Sequence, residues 1–159
     1  MPEVEFQSWE TSFKNGDITI LEVRYGNGGA CIEDENLGVR FKIPATSACD
    51  DASLLVRLFH LETRTVFRVV FEDVSAFRVL DEHGLTELWQ ATSTRGGRPD
   101  KTTFKVRGHA WSKESPVSFV TSNGWSFVIA TDWTCVEVVC KETPHIEFDG
   151  TVEPESVLR

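Results

Sequence analysis

The chain has 159 residues, of which 40% are hydrophobic and 11% are aromatic. This composition excludes an intrinsically disordered protein, and the length suits one domain that buries its own hydrophobic core. Asp and Glu number 25 against 16 Lys and Arg, so the formal net charge is −9. A negative charge of this size argues against general binding to nucleic acids or to anionic membrane surfaces, and we expect neither as a partner.

The first residues and the hydropathy pattern bear on where the protein resides. Residues 1–5 read MPEVE and are acidic, whereas a secretory signal begins with basic residues and continues with apolar ones. No apolar run approaches the roughly 18 residues that a membrane span needs. We therefore predict a cytoplasmic protein. Because cytosolic thiols stay reduced, the four cysteines (Cys31, Cys49, Cys135 and Cys140) are predicted to be free and buried.

The hydrophobic pattern predicts strands through most of the chain. Alternation predicts a strand over residues 17–25, which ends at the turn Gly-Asn-Gly-Gly (26–29) and is followed by a returning strand over 30–33. Residues 45–55 allow one short helix, and residues 85–90 suit either a helical turn or a strand. Further strands are predicted at 37–43, 54–61, 65–71 and 76–80.

The most specific local pattern is a predicted hairpin in the C-terminal half. Asn123-Gly124 lies between VSFVTS and WSFVIA, and Asn-Gly favours a two-residue hairpin turn because both positions need a positive φ. A polar turn at 131–134 then leads into a strand over 135–140. The pattern predicts a three-stranded meander over residues 117–140, with Cys135 and Cys140 on opposite faces of its last strand.

Residues 91–103 and 149–159 show no regular pattern. The first segment is predicted to be a loop and the second a flexible tail, which leaves residues 1–148 as one globular domain. The predicted fold is mainly β, either an antiparallel sandwich or a strongly curved sheet with one or two short helices, and an α+β fold is the alternative.

The sequence contains no recognisable catalytic, cofactor or metal motif. Residues 26–29 lack the third glycine of the dinucleotide-binding fingerprint, and no Gly-x-Ser-x-Gly nucleophile motif exists. The cysteines form no Cys-x-x-Cys pair, so we expect neither a cofactor nor a metal. The basic segment Arg95-Gly96-Gly97-Arg98, with Lys101, could hold a phosphate or a carboxylate through its arginine side chains, but it lacks a phosphate-loop ending and is predicted to be a solvated loop. These absences favour a binding protein over an enzyme.

Acidic clusters are the first candidate site. An acidic surface raises the association rate with a basic partner and selects against other partners. Trp133 lies in the polar turn at 131–134 and is expected to be partly exposed, where it could anchor a partner. The predicted partner-binding residues are Glu33, Asp34, Glu35, Asp50, Asp51 and Trp133.

The second candidate site is an aromatic pocket, which would serve a different function from the acidic surface. In that hypothesis Trp111, Trp125 and Phe127 line a pocket with His109 or His60 as its polar group, in a domain that binds a small molecule or acts as an enzyme. A third hypothesis is a structural homo-oligomer, such as a homodimer, whose exposed edge strands pair across a symmetry axis.

Two segments carry a resemblance to known proteins. Residues 71–82 (FEDVSAFRVLDE) and 127–138 (FVIATDWTCVEV) resemble small uncharacterised β-rich proteins of bacteria, some of which look like immunity proteins of toxin systems. The likeness covers about 70 residues and maps no functional residue. It implies a bacterial cytoplasmic protein. Together with the negative charge, it suggests an immunity-type inhibitor whose acidic surface covers a basic toxin or nuclease.

Overall fold

The computed structural model describes residues 4–92 and 97–155. These residues form eleven β-strands, a 3-10 helix (Glu82–Leu85) and two α-helices, α1 (Thr86–Ala91) and α2 (Ala110–Glu114). No helix in this part of the chain is long and apolar enough to cross a membrane. The strands are β1 (Glu5–Ser8), β2 (Ile18–Tyr25), β3 (Ala30–Asp34), β4 (Val39–Ile43), β5 (Leu54–His60), β6 (Thr65–Phe71), β7 (Ala76–Asp81), β8 (Thr103–Arg107), β9 (Ser126–Ile129), β10 (Thr134–Val139) and β11 (His145–Thr151).

The strands form three antiparallel sheets. The first sheet has the order β1-β8-β9-β10-β7, and the second has the order β11-β6-β5-β2. The two sheets pack together, and the 3-10 helix and α1 cover the other side of the first sheet. β3 and β4 form a separate two-stranded hairpin, which we call the arm. The predicted fold, mainly β with packed antiparallel sheets and short helices, is confirmed.

The main core lies between the two large sheets, because alternate residues of their central strands point toward each other. In β5, Leu54, Val56 and Leu58 are fully buried, and the residues between them are partly exposed. They belong to one cluster with Val136 and Val138 of β10. Large aromatic side chains fill the rest of this core: Trp9, Phe13, Phe71 and Phe127.

A second core lies on the other side of the first sheet. There Leu85 and Leu88 pack against Phe104 of β8 and Val128 of β9. The first sheet is therefore buried on both sides, and all four residues of β9 are buried. Such double burial requires strands that are mostly apolar on both faces, and β9 and β10 are so apart from the buried Ser126 and Glu137.

The cysteines are placed partly as predicted. Cys135 belongs to the second core and Cys140 to the main core, so they lie on opposite sides of the first sheet as free, buried thiols. Cys31 is exposed on the arm, and Cys49 is partly exposed. The prediction that all four are buried is therefore wrong for Cys31 and for Cys49, because the segments that carry them lie outside both cores.

The predicted hairpin around Asn123-Gly124 does not form, although both residues have the expected positive φ (55° and 86°). The residues before them form successive helical turns, in which the amide of Phe119 donates to the carbonyl of Pro116 at 3.2 Å. β9 starts only at Ser126 and pairs with β8 on one side and β10 on the other. The part of the meander formed by β9 and β10 is confirmed.

Packing explains why residues 117–124 are not a strand. Phe119 is buried and makes edge contacts with the rings of His109 and Trp111, which fixes the segment as a cover over the first sheet. The place beside β9 is occupied by β8, part of a region in which the sequence pattern predicted no strand. Long-range pairing of β9 with β8 thus overrides the local preference for a hairpin, although the turn itself keeps its conformation.

The turn at 26–29 leads outward into the arm, so the predicted hairpin between residues 17–25 and 30–33 is wrong. β2 pairs with β5, and the strand after the turn, β3, pairs with β4. Gly26 and Gly28 have a positive φ, and the carbonyl of Asn27 accepts hydrogen bonds from the amides of Thr46 and Ser47. These bonds close the base of the arm and direct β3 away from β2.

Other segments differ from their predictions in smaller ways. Residues 45–55 form bends and the start of β5 rather than a helix, and residues 85–90 are helical. β11 continues through Thr151, three residues into the segment predicted as a tail. Residues 93–96 of the predicted loop and 156–159 of the predicted tail lie outside the described residues.

Candidate functional site

The arm is an amphipathic hairpin whose apolar side nothing in the described structure covers. Its strands pair in register, with Ile32 opposite Phe41 and Ala30 opposite Ile43. Because paired residues of an antiparallel ladder share a face, these four side chains and Val39 lie on one side of the arm. Phe41 is 53% exposed, and the other large side chains of this face are exposed to a similar extent.

The opposite side of the arm is polar. It carries Cys31, Glu33, Arg40 and Lys42, all of them exposed. The guanidinium of Arg40 donates to the carboxylate of Glu33, with a distance of 2.6 Å from Nη2 to Oε1. An exposed pair of this kind contributes little to stability, but it keeps this face solvated. The two faces of the arm therefore differ sharply in polarity.

Local hydrogen bonds hold the shape of the arm at both ends. At the base, the amide of Thr46 donates to the carbonyl of Asn27 at 2.7 Å, and the side chain of Asn27 accepts from the amide of Gly29 at 2.9 Å. At the tip, one oxygen of Asp34 accepts from the amides of Asn36 and Leu37. A two-stranded hairpin without a covered face is only marginally stable in water, and these contacts help to hold it.

An exposed apolar face of this kind is unusual on the surface of a monomeric globular protein. Single exposed apolar residues are common, but a contiguous group rimmed by polar residues marks an interaction site or an aggregation hazard. The large apolar residues of the arm are Ile32, Leu37, Val39, Phe41 and Ile43, and all five are exposed. In the described structure, this part of the arm's apolar surface stays in contact with water.

The predicted acidic residues all lie on or beside the arm, but they do not form one cluster. Glu33, Asp34 and Glu35 are near its tip, where Glu33 is paired with Arg40 and Asp34 caps the turn. Asp50 and Asp51 lie in the segment that joins the base of the arm to β5. The acidic residues thus flank the apolar face at both ends.

Trp133 lies elsewhere, and it is 82% exposed. It occupies the turn between β9 and β10, and its carbonyl accepts a hydrogen bond from the amide of Glu82 at the end of β7. The arm adjoins the other end of β7, where Tyr25 stacks on Phe77. The structure therefore separates Trp133 from the acidic residues with which the sequence grouped it.

The five residues of the predicted aromatic pocket are not brought together. Phe127 is buried in the main core, and His60 is buried in β5 of the second sheet, where its Nδ1 lies 2.8 Å from the hydroxyl of Thr63. Trp125 packs beside Lys105, whose Nζ is 5.4 Å from its ring centroid. His109 and Trp111 lie on the opposite side of the first sheet from Phe127.

His109 and Trp111 instead belong to a buried polar network around Glu137. The side chain of Glu137 is 1% exposed, and its Oε2 accepts hydrogen bonds from His109 Nε2 at 2.5 Å and Ser126 Oγ at 2.6 Å. Its Oε1 accepts from Nε and Nη2 of Arg78 at 2.9 and 2.7 Å. The ring of Trp111 lies 4.5 Å from the Arg78 guanidinium.

The chemistry of this network is structural rather than catalytic. Burial acts to raise the pKa of Glu137, but the hydrogen bond and charge of His109, with Arg78 and Ser126, outweigh it and hold that pKa below its ordinary value. The four donors occupy the acceptor positions of the carboxylate, which leaves none for a substrate. The sequence pattern did not predict this network, although the single charge within the apolar run CVEVVC is a signal of a buried polar group.

Two further observations concern metal-binding groups and similarity to known proteins. In residues 4–92 and 97–155, no group of three or more His, Cys, Asp or Glu side chains is arranged to hold a metal ion. Comparison of the chain with models of known protein families, with curated proteins and with solved structures finds no match in any of the three.

Proposed function

We propose that this protein is a non-catalytic binding domain that docks a basic protein partner through the arm, as an immunity-type inhibitor of a toxin or nuclease would. The observation that carries the proposal is the uncovered apolar face formed by Ile32, Val39, Phe41 and Ile43. Burial of such a group in a partner contributes roughly 25 cal/mol for each Å² of apolar surface removed from water.

The charge around the arm favours a basic partner over a second copy of the chain. Glu33, Asp34 and Glu35 place three acidic residues near the tip, and the whole chain has a net charge of −9. Two copies docked arm to arm would bring these like charges together, whereas a basic surface complements them. The resemblance to immunity proteins points to the same class of partner.

The layout of the arm matches a binding hot spot. Phe41 and Ile32 are directly opposite each other near the centre of the apolar face. Asp34 lies at the tip end of the same face, opposite Val39, and Glu33 and Arg40 occupy the other face. Large apolar or aromatic residues at the centre of an interface contribute most of the binding energy, and a polar rim excludes water from them. We therefore expect Phe41 to be the main anchor.

Site-specific photo-crosslinking tests the proposal directly. The variant Phe41→p-benzoylphenylalanine would be expressed in the source cells, irradiated and analysed by mass spectrometry of crosslinked products. The matched control places the same crosslinker at Val117, an apolar residue of the second-core side that is 85% exposed. We expect a basic protein to crosslink at position 41 and not at position 117.

The affinity of that protein for purified variants completes the test. We expect Ile32→Ser and Phe41→Ser each to weaken binding by about 2 kcal/mol or more, and Val117→Ser to leave it unchanged. Binding should also weaken between low and physiological salt, because the acidic tip contributes electrostatically. Crosslinking of position 41 only to a second copy of the chain, to an acidic protein or to nothing would refute the proposal.

A further inference from the structure

A cavity of about 190 Å³ lies at the opposite end of β2 from the arm. Four segments contribute to its wall: the start of β2, the helical segment after β7, residues 97–102, and the turn between β9 and β10. Its charged lining residues are Asp17, Glu82, Arg98, Lys101 and Asp132. The cavity is smaller than a typical site for a drug-sized ligand, which occupies about 300 Å³ or more. Its size therefore suits a small metabolite.

Arg98 differs from the other arginines of the described chain. Each of the others has a carboxylate within 4.0 Å: Arg24, Arg40, Arg57, Arg64, Arg68, Arg78 and Arg107. For Arg98, residues 4–92 and 97–155 provide no such partner, although burial already lowers its pKa. A partly buried cation without a counterion is costly, and an anionic ligand group would offset that cost.

Aromatic packing holds Arg98 in place at the cavity. Its guanidinium carbon lies 4.5 Å from the ring centroid of Trp89 and 5.9 Å from that of Phe104. Trp89 is fixed in turn, because its Nε1 donates to the carbonyl of Glu82 at 2.7 Å. The hydroxyl of Thr102, also in the wall, donates to the carbonyl of Gly16 at 2.7 Å. The wall is therefore organised before any ligand enters, which lowers the entropy cost of binding.

The cavity also presents negative charge. Asp17, Glu82 and Asp132 line it, and within the described residues none of these three carboxylates forms an ion pair. A ligand that is only anionic would meet these three carboxylates, and a ligand that is only cationic would meet Arg98 and Lys101. A small molecule that carries both charges satisfies both sets of groups.

We infer that this cavity binds a small zwitterion of the α-amino acid class, with its carboxylate against Arg98 and its ammonium toward the acidic side of the wall. The fork of the guanidinium suits a carboxylate, because it offers two parallel N–H donors. Ile18 and Ala130 supply apolar wall for a short side chain. This site is separate from the arm, and the inference does not depend on the proposed function.

A thermal-shift panel with the twenty L-amino acids, each at about 10 mM, gives the first test, because a ligand of the folded state raises the melting temperature. Isothermal titration calorimetry then measures the dissociation constant of the best amino acid. The same titration uses its deaminated and decarboxylated analogues. We expect the amino acid to bind at least about tenfold more tightly than either analogue, because each analogue leaves one set of charges without a partner.

Variants locate the site. Arg98→Met keeps an unbranched apolar side chain but removes the guanidinium that lies over Trp89, and it should weaken binding of the amino acid at least about tenfold. Arg64→Met is the matched control, because Arg64 is exposed and pairs with Glu153 outside the cavity. Three variants test the acidic side of the wall: Asp17→Asn, Glu82→Gln and Asp132→Asn. At least one of them should weaken binding of the amino acid and leave binding of its deaminated analogue unchanged.

Three results would overturn the inference: no amino acid changes the melting temperature, Arg98→Met binds the best amino acid as tightly as the unmodified protein, or the deaminated analogue binds as tightly as the amino acid. Arm variants such as Phe41→Ser should leave amino acid binding unchanged. A failure at the cavity is thereby distinguished from a failure of the arm.

Discussion

The arm and the Glu137 network reverse the usual placement of polar and apolar groups. On the arm, Phe41 and Ile32 are half exposed, with no covering element in the described residues. Beneath α2 and the turns that follow it, Glu137 and His109 are almost fully removed from water. The apolar side chains of the arm keep about half of their surface in water, whereas the buried carboxylate depends completely on the fold around it.

This contrast separates residues that serve stability from residues that are free to serve binding. A buried charge is tolerated only when hydrogen-bonded partners surround it, so each member of the Glu137 network constrains the others. Exposed side chains away from such networks change stability little when they are replaced. Mutations in the two regions should therefore produce opposite phenotypes, with loss of folding in one and loss of binding in the other.

The largest effect is expected for Glu137→Gln, which removes the charge that pairs with Arg78 inside the structure. Breaking one partner of a buried ion pair costs about 3–5 kcal/mol. Urea unfolding followed by tryptophan fluorescence measures the loss. The control is Glu147→Gln, because Glu147 pairs with Arg68 on an exposed face and should cost less than about 1 kcal/mol. Equal losses of unfolding free energy in the two variants would show that the buried Glu137 contributes no more to stability than an exposed ion pair does.

The same carboxylate should make stability depend on pH. The pKa of Glu137 is lower in the folded state than its ordinary value, so the folded state binds this proton less readily than the unfolded state. Its contribution is therefore complete above the ordinary Glu pKa of about 4.3 and is lost as the pH falls through the folded pKa. The difference in unfolding free energy between the unmodified protein and Glu137→Gln should shrink from pH 7 to pH 3. A constant difference would refute this assignment.

Phe41→Ser should change stability by no more than about 0.5 kcal/mol, because its side chain is already half exposed. Phe71→Ala provides the contrast, because Phe71 is fully buried in the main core and its truncation should cost about 3–5 kcal/mol. Denaturant midpoints of the two variants measure both effects. A large loss for Phe41→Ser would mean that the arm packs on its own domain.

The smallest perturbation is chemical labelling of the cysteines. Burial raises the pKa of Cys140 to about 12 and also raises the pKa of Cys135, so little of either is the reactive thiolate. Cys31 is exposed on the polar face of the arm. Iodoacetamide at pH 8 should therefore modify Cys31 well before Cys135 and Cys140, as mass spectrometry of peptides would show. Modification of all three at one rate would indicate that the first sheet opens readily.

Strong local alternation made part of the fold predictable. The strands predicted at 54–61 and 65–71 correspond to β5 (Leu54–His60) and β6 (Thr65–Phe71), because apolar side chains there point into the main core at every second residue. β8 (Thr103–Arg107) was missed, although TFKVR alternates, because a segment rich in Gly and Pro precedes it. The predicted hairpin at Asn123-Gly124 failed for the complementary reason, since a good turn does not create a partner strand.

The candidate site was predictable only in part. The acidic residues of the arm were identified from charge, which is visible in the sequence. Phe41 and Ile32 were not identified, because their pattern is the same as that of a strand with one buried face. Arg98 was considered as a ligand for a carboxylate or a phosphate, but the acidic residues that share its cavity come from three separate segments.

The amino-acid sequence by itself determined the β class, three of the four strands of the second sheet (β2, β5 and β6) and the negative charge, because periodicity and composition are local properties of the chain. Only the tertiary structure decided which strands pair, which apolar face stays in water and which charges are enclosed. Those outcomes depend on competition between distant segments for the same sheet edge and the same core. The arm is exposed because the two large sheets bury each other, and Glu137 is buried because donor groups of three residues from distant parts of the chain, Arg78, His109 and Ser126, converge on it.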